Sequence, residues 1–155
     1  MSELVEGMTA PQFDLPRDGG GNVSLAGLAG KIVVLYFYPK DDTSGCTVEA
    51  IDFTALSADF AKAGAVVVGM SPDPVKAHDK FIAKHELGII LASDEDKSVL
   101  EAYGVWKEKS MYGRKYMGVE RSTFLIDADG KIARIWRKVK VAEHARQVLE
   151  AVQAL

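Results

Sequence analysis

Apolar positions along the chain fall into short unbroken runs separated by stretches with helical spacing. Residues 31–38 read Lys-Ile-Val-Val-Leu-Tyr-Phe-Tyr, β-branched and aromatic without polar alternation. A strand covered on both faces reads this way. Val48, Ile51, Ala55, Leu56 and Phe60 recur at three- and four-residue steps, which predicts a helix with these side chains on its packed face. Residues 65–70 predict a second buried strand. Asp73-Pro74 then predicts an N-cap with proline at the first helical position, opening a helix that runs to about Glu86. A short strand near 89–91 and a short helix over 94–103 follow. Residues 123–126 and 132–136 predict a hairpin turning on Asp127-Ala128-Asp129-Gly130, and 141–155 an amphipathic helix packed through Val141, Ala145, Val148, Leu149 and Val152. Residues 11–28 suggest a further hairpin, with its turn at Asp18-Gly19-Gly20-Gly21-Asn22. The stretch with Trp106, Met111, Tyr112, Tyr116 and Met117 reads as irregular, either core or the lining of the pocket entrance, and if exposed as a subunit or reductant contact.

No linker, repeat or biased segment interrupts this order, so residues 1–155 are expected to form one α/β domain. At 155 residues and 48% hydrophobic content, the chain can bury a core without disulfides or metals. A net charge of −3 gives no general attraction to nucleic acid or acidic membranes. No apolar run approaches the ~20 residues of a membrane span. The amino terminus lacks the basic region and apolar core of a secretory leader. A single cysteine suits a reducing compartment, with the cytoplasm as the expectation.

That cysteine, Cys46, lies where the first long strand gives way to the first helix. Open α/β sheets place their chemistry at that junction. One reading makes it a small buried hydrophobe. The other makes it a nucleophile, because helix-opening N–H groups and the helix dipole favour negative charge on the sulfur. Lowering a thiol pKa from about 8.5 raises the thiolate fraction at neutral pH by at most roughly 30-fold, or about 2 kcal/mol. A fast thiol enzyme must therefore also orient its electrophile and stabilise the departing charge. Thr43 offers a hydroxyl three residues before the sulfur, Pro39 a rigid wall without an N–H, and Gly45 room for close approach. Arg121, at the entry to the strand over 122–127, is the candidate cation; the alternative is a solvated surface arginine.

These residues resemble a known family. Pro39, Thr43 and Cys46 match the Pro-x-x-x-Thr-x-x-Cys signature of peroxiredoxins, and Phe-Tyr-Pro-Lys-Asp-Asp-Thr-x-Gly-Cys-Thr is similar to the bacterioferritin-comigratory-protein, or PrxQ, branch. The resemblance runs from Pro11-Gln12-Phe13-Asp14-Leu15 through residues 67–73 to residues 121–127 and Asp129-Gly130-Lys131-Ile132. It implies a thioredoxin-like fold: a central mixed sheet flanked by helices, with an N-terminal hairpin. It also implies that Cys46 is the peroxidatic cysteine, with Thr43 and Arg121 completing the catalytic site and Pro39 lining the substrate side. Many members of the branch carry a resolving cysteine five residues later, where this chain has Ile51, and others carry it on the later helix, where residues 80–84 include Ala83 and no cysteine.

One sulfur cannot close a disulfide within its own chain. The resemblance thus implies a 1-Cys peroxidase. Its partners are a hydroperoxide and an external thiol (thioredoxin, glutaredoxin or glutathione), with no cofactor, and a monomer or weak homodimer is expected. The rival reading is a thioredoxin-fold redox sensor, or a chaperone or interaction module, without efficient turnover.

Other motifs carry less. Ala29-Gly30-Lys31 lacks the spacing and hydroxyl of a phosphate loop, and Asp127 with Asp129 lacks the distal glutamate of a calcium loop. His78 and His85 stand seven residues apart on a helix, roughly 10 Å, so no metal site is expected, and both read as solvated. Asp41 and Asp42 read as a solvated loop. Arg134, Arg137, Lys138 and Lys140 around Trp136 fit an exposed edge with one packed aromatic better than a nucleic-acid stripe.

Overall fold

The computed structural model describes residues 3–155. An N-terminal hairpin pairs β1 (Asp14–Pro16) with β2 (Asn22–Ser24), Leu15 opposite Val23. Its turn needs left-handed backbone, and Gly19, Gly20 and Gly21 supply it with φ of 76°, 98° and 72°. The chain continues through β3 (Ile32–Phe37), α1 (Ser44–Ala55), α2 (Ser57–Lys62), β4 (Ala65–Ser71), α3 (Val75–His85), β5 (Ile90–Ser93) and α4 (Ser98–Ala102). Then come β6 (Trp106–Met111), β7 (Arg114–Val119), β8 (Ser122–Ile126), β9 (Ile132–Trp136) and α5 (His144–Gln153).

Five strands form the central sheet in the order β5-β4-β3-β8-β9. β3 and β5 run parallel to β4, while β8 is antiparallel to β3 and to β9. Helices and loops cover both faces of this mixed sheet, the thioredoxin-like arrangement. β3 explains the unbroken apolar run: Val33, Leu35 and Phe37 enter the layer with Met70, Tyr103 and Phe124, whereas Val34 and Tyr36 enter the layer with Phe53, Phe81 and Val148. A central strand with two buried faces has no position for a polar side chain. Gly69 of β4 is fixed by the same packing, because a Cβ there would sit 2.8 Å from Tyr36 Cζ and 2.9 Å from Leu91 Cδ2.

Three local expectations are corrected. The helix after β3 breaks at Leu56. Its packed face is Cys46, Glu49, Ala50 and Phe53, while Val48 and Ile51 are exposed. At the start of α3 the cap position is Pro74, and the Asp73 carboxylate does not cap the helix. It accepts instead from Ser71 Oγ at 2.7 Å and from the Asp41 N–H at 2.8 Å. The stretch read as irregular is a regular hairpin, β6 against β7, turning at Tyr112 and Gly113 with φ of 52° and 78°. Positive φ at both central residues is the signature of a tight hairpin turn.

Candidate active site

β3 delivers the chain to the end of the sheet where β3 and β4 finish, and segment 39–43 carries it into α1. Thr43, with extended backbone at φ −90° and ψ 158°, is the cap residue, and its carbonyl accepts from the Thr47 N–H at 2.8 Å. Cys46 is therefore the third residue of the helix, within the turn where free N–H groups and the positive end of the helix dipole lie. It is only 1% exposed and packs in the layer that holds Tyr38, Ala50 and Phe53.

Burial among hydrocarbon alone would make the sulfur inert. Arg121 changes its surroundings. It stands just before β8, the strand next to β3, and its Nη2 donates to Cys46 Sγ at 3.4 Å. The side chain is mostly buried, and its backbone is pinned by the Val139 N–H, which donates to the Arg121 carbonyl at 2.9 Å. Arg121 is thus not a solvated surface residue. Gly45 is the complementary feature: a Cβ at that position would lie 3.3 Å from Arg121 Nη2. What approaches Gly45 closely is this guanidinium.

Nothing in the sequence pattern singles out Glu49, yet it completes the site. Its carboxylate is 1% exposed and accepts from Arg121 Nη1 at 2.6 Å. Burial pushes its pKa up to about 7, opposed by the charge and hydrogen bond of Arg121 and aided by the charge of Asp52. Among the described residues its Oε2 has no hydrogen-bond partner, nor has the nearby Tyr36 hydroxyl, which burial and the charges of Glu49 and Cys46 hold in its neutral form. The only sequence signal is spacing: residue 49 is one helical turn from the sulfur.

Thr43 and Pro39 frame the loop. Thr43 Oγ1 donates to the Lys40 carbonyl at 2.8 Å, and among the described residues no hydrogen bond joins it to Cys46. Pro39 is half-buried. Asp41 and His78 are not solvated. His78 is wholly buried, with Nδ1 2.7 Å from Asp41 Oδ2, and Asp41 also accepts from the Tyr38 hydroxyl at 2.5 Å. Asp42 pairs with Lys84 at 2.7 Å and His85 at 2.9 Å. Asp41, Asp73 and His78 bring ligand-type atoms within 4.8 Å of one another, but their hydrogen bonds already employ these atoms. Around Trp136, the Arg134 guanidinium lies over the indole ring at 4.7 Å and Arg137 over Phe124 at 5.6 Å, so both are partly committed to aromatic faces. Among the described residues no helix is long and apolar enough to cross a membrane.

The arrangement can hold a thiolate beside a fixed cation while the cation's other edge is locked by a carboxylate. That geometry suits attack by sulfur with negative charge departing toward the guanidinium.

Comparison with known proteins gives the family. Residues 7–135 match the model of the AhpC/TSA family. Peroxiredoxin Bcp of Xanthomonas campestris is 49% identical over 156 residues, covering 99% of this chain and 98% of its own. The structure of a cysteine-to-serine mutant of PrxQ from Xylella fastidiosa superimposes with a TM-score of 0.93 at 39% identity, covering 99% of this chain and 98% of that one. Bacterioferritin comigratory protein of X. campestris, solved as trapped intermediate/ligand complexes bearing on its alkyl peroxide reduction activity, gives 0.88 at 48% identity, covering 92% and 90%.

Proposed function

The chain belongs to the AhpC/TSA family, among the Bcp/PrxQ peroxiredoxins, and is a thiol-dependent peroxidase; on that premise we propose that Cys46 is its attacking sulfur and Arg121 its charge-stabilising cation. The supporting observation is the 3.4 Å contact of Arg121 Nη2 with Cys46 Sγ, held in direction by Glu49 on the other nitrogen. The Cys46 thiolate attacks the terminal oxygen of a hydroperoxide. An S–O bond forms and the O–O bond breaks, leaving a sulfenic acid and, after uptake of one proton, water or an alcohol. Arg121 stabilises the oxygen that departs with the electron pair. Thr43 orients the peroxide once its hydroxyl turns from the Lys40 carbonyl, and Pro39 walls the approach.

With one cysteine, the sulfenic acid is reduced by an external thiol. The first thiol forms a mixed disulfide and releases water; a second frees Cys46 and leaves as a disulfide. Thioredoxin, glutaredoxin and glutathione are the proposed donors, in the cytoplasm, with the protein a monomer or weak homodimer.

Stopped-flow peroxide consumption tests the assignment. Cys46→Ser should abolish it, and Arg121→Ala should slow the oxidation step by about 10²-fold or more. Persistence of activity in Cys46→Ser would overturn it. Single turnover with every donor, with oxidation still fast, would instead make the protein a redox sensor.

A further inference from the structure

Both ring nitrogens of the buried His78 face acceptors: Nδ1 lies 2.7 Å from Asp41 Oδ2, and Nε2 lies 2.9 Å from the Ala92 carbonyl. A neutral imidazole carries one N–H, so donation to both requires the imidazolium. The surroundings support a cation. Tyr38, just past the end of β3, lies 3.4 Å from Nδ1 and donates to Asp41, Ala92 belongs to β5, and Asp73 from the β4–α3 connection accepts from the Asp41 N–H. Burial pulls the imidazolium pKa down, but the hydrogen bond and charge of Asp41, the Ala92 carbonyl and the charge of Asp73 outweigh it, leaving it above 6.5.

This pair holds the segment that leads into Cys46. Asp42, the next residue, sits in left-handed backbone at φ 59° and is tied to Lys84 and His85 on the same helix α3. Segment 39–46 is thus fastened to α3 at two successive aspartates. The inner tie is buried, while Asp42 of the outer tie is exposed and weakened by solvent. Cys46 is 1% exposed, so a bulky thiol meets its oxidised sulfur only when this segment and the first turn of α1 move away.

We propose that Asp41 and His78 form a pH-dependent latch, a positioning pair that keeps the Cys46 segment closed for peroxide attack and, on release, opens it for reduction by an external thiol. The reduction role rests on the peroxidase reading; the latch itself does not. A histidine stabilised as its cation holds the latch fully below its ordinary pKa and releases it as pH rises through the higher folded-state value.

Amide hydrogen exchange tests the latch without any peroxide chemistry. After correction for intrinsic exchange, protection of residues 40–50 should fall about tenfold more in the wild type than in Asp41→Asn between about pH 6 and about pH 9. His78→Gln, which keeps a donor but no charge, should behave like Asp41→Asn, so one poorly folding variant leaves the other decisive. Equal loss of protection in all three proteins overturns the latch. The second arm reduces pre-oxidised protein with dithiothreitol, with rates corrected for the thiolate fraction. The wild-type rate constant should climb with pH by a similar factor, and Asp41→Asn should be uniformly fast. A flat wild-type profile overturns the link to reduction, whereas failure to oxidise Cys46 at all would sink the peroxidase reading and leave the exchange result standing.

Discussion

Arg121 Nη1 donates to Glu49 Oε1 at 2.6 Å, and this bond sets the direction in which the guanidinium presents Nη2 to the sulfur. A planar fork held at one edge cannot swing at the other. Glu49→Ala should leave Arg121 charged, mostly buried and without its carboxylate partner, costing about 3 kcal/mol of stability. A guanidinium displaced by ~1 Å should also slow sulfur oxidation by about 10²-fold. Glu49→Gln keeps an acceptor and should retain most of the rate. Single-turnover oxidation beside urea unfolding separates the two effects, and wild-type oxidation by Glu49→Ala would remove the orienting role.

Gly45 sits under the same guanidinium. A Cβ placed 3.3 Å from Arg121 Nη2 obliges the side chain to give by a few tenths of an ångström. The backbone there needs no left-handed conformation, so Gly45→Ala should fold normally and gain slightly in helix propensity. Its oxidation step should nevertheless slow by roughly tenfold through the shifted cation. A Gly45→Ala protein that is destabilised yet oxidises at the normal rate would show that the close approach is a packing matter only.

Much of this site was legible because its parts are local. A strand buried on both faces admits only apolar residues, so β3 announces itself, and the turn into α1 places Cys46, Thr43 and Pro39 by sequence distance alone. Glu49 and His78 were not legible because their burial depends on partners 72 and 37 residues away. Read without Arg121, a glutamate on α1 belongs to the solvated side, and exposed Val48 and Ile51 pull the apparent packed face toward themselves. The β6–β7 hairpin hid for a different reason. Most of its side chains are exposed on both faces, so no alternation marks it, and only Tyr112-Gly113 signalled the turn.

Ile51 is exposed on α1, five residues past the sulfur. In an intact α-helix, residues five apart have Cα atoms roughly 8–9 Å apart, beyond disulfide reach. Ile51→Cys should therefore form a bridge to oxidised Cys46 only when the first turn of α1 unwinds. Combined with Asp41→Asn, the bridge should form faster after a pulse of peroxide than with Ile51→Cys alone, as mass-shift kinetics of the oxidised protein would reveal. Identical rates would mean that the first turn opens independently of the aspartate.

Acid stability separates the two titrating groups beside Arg121. His144 is buried, with Nε2 2.8 Å from Thr123 Oγ1, and its ring meets Phe53 and Trp136 edge-on. Burial, then the charge of Arg121, depresses its pKa from 6.5 to about 4. The unfolded chain binds the proton first, so this contribution is complete above pH 6.5 and is lost as pH falls through 4; its full size is about 3 kcal/mol. Glu49 runs the other way. With its pKa raised from 4.5 to about 7, the folded chain binds the proton first, and its contribution is complete below 4.5 and lost as pH rises through 7. The two oppose each other between these limits, so wild-type stability should change little there. His144→Gln should gain stability relative to the wild type on acidification over that window, and Glu49→Gln should lose it. Urea unfolding at several pH values reads both difference curves, and parallel curves for all three proteins would contradict both assignments.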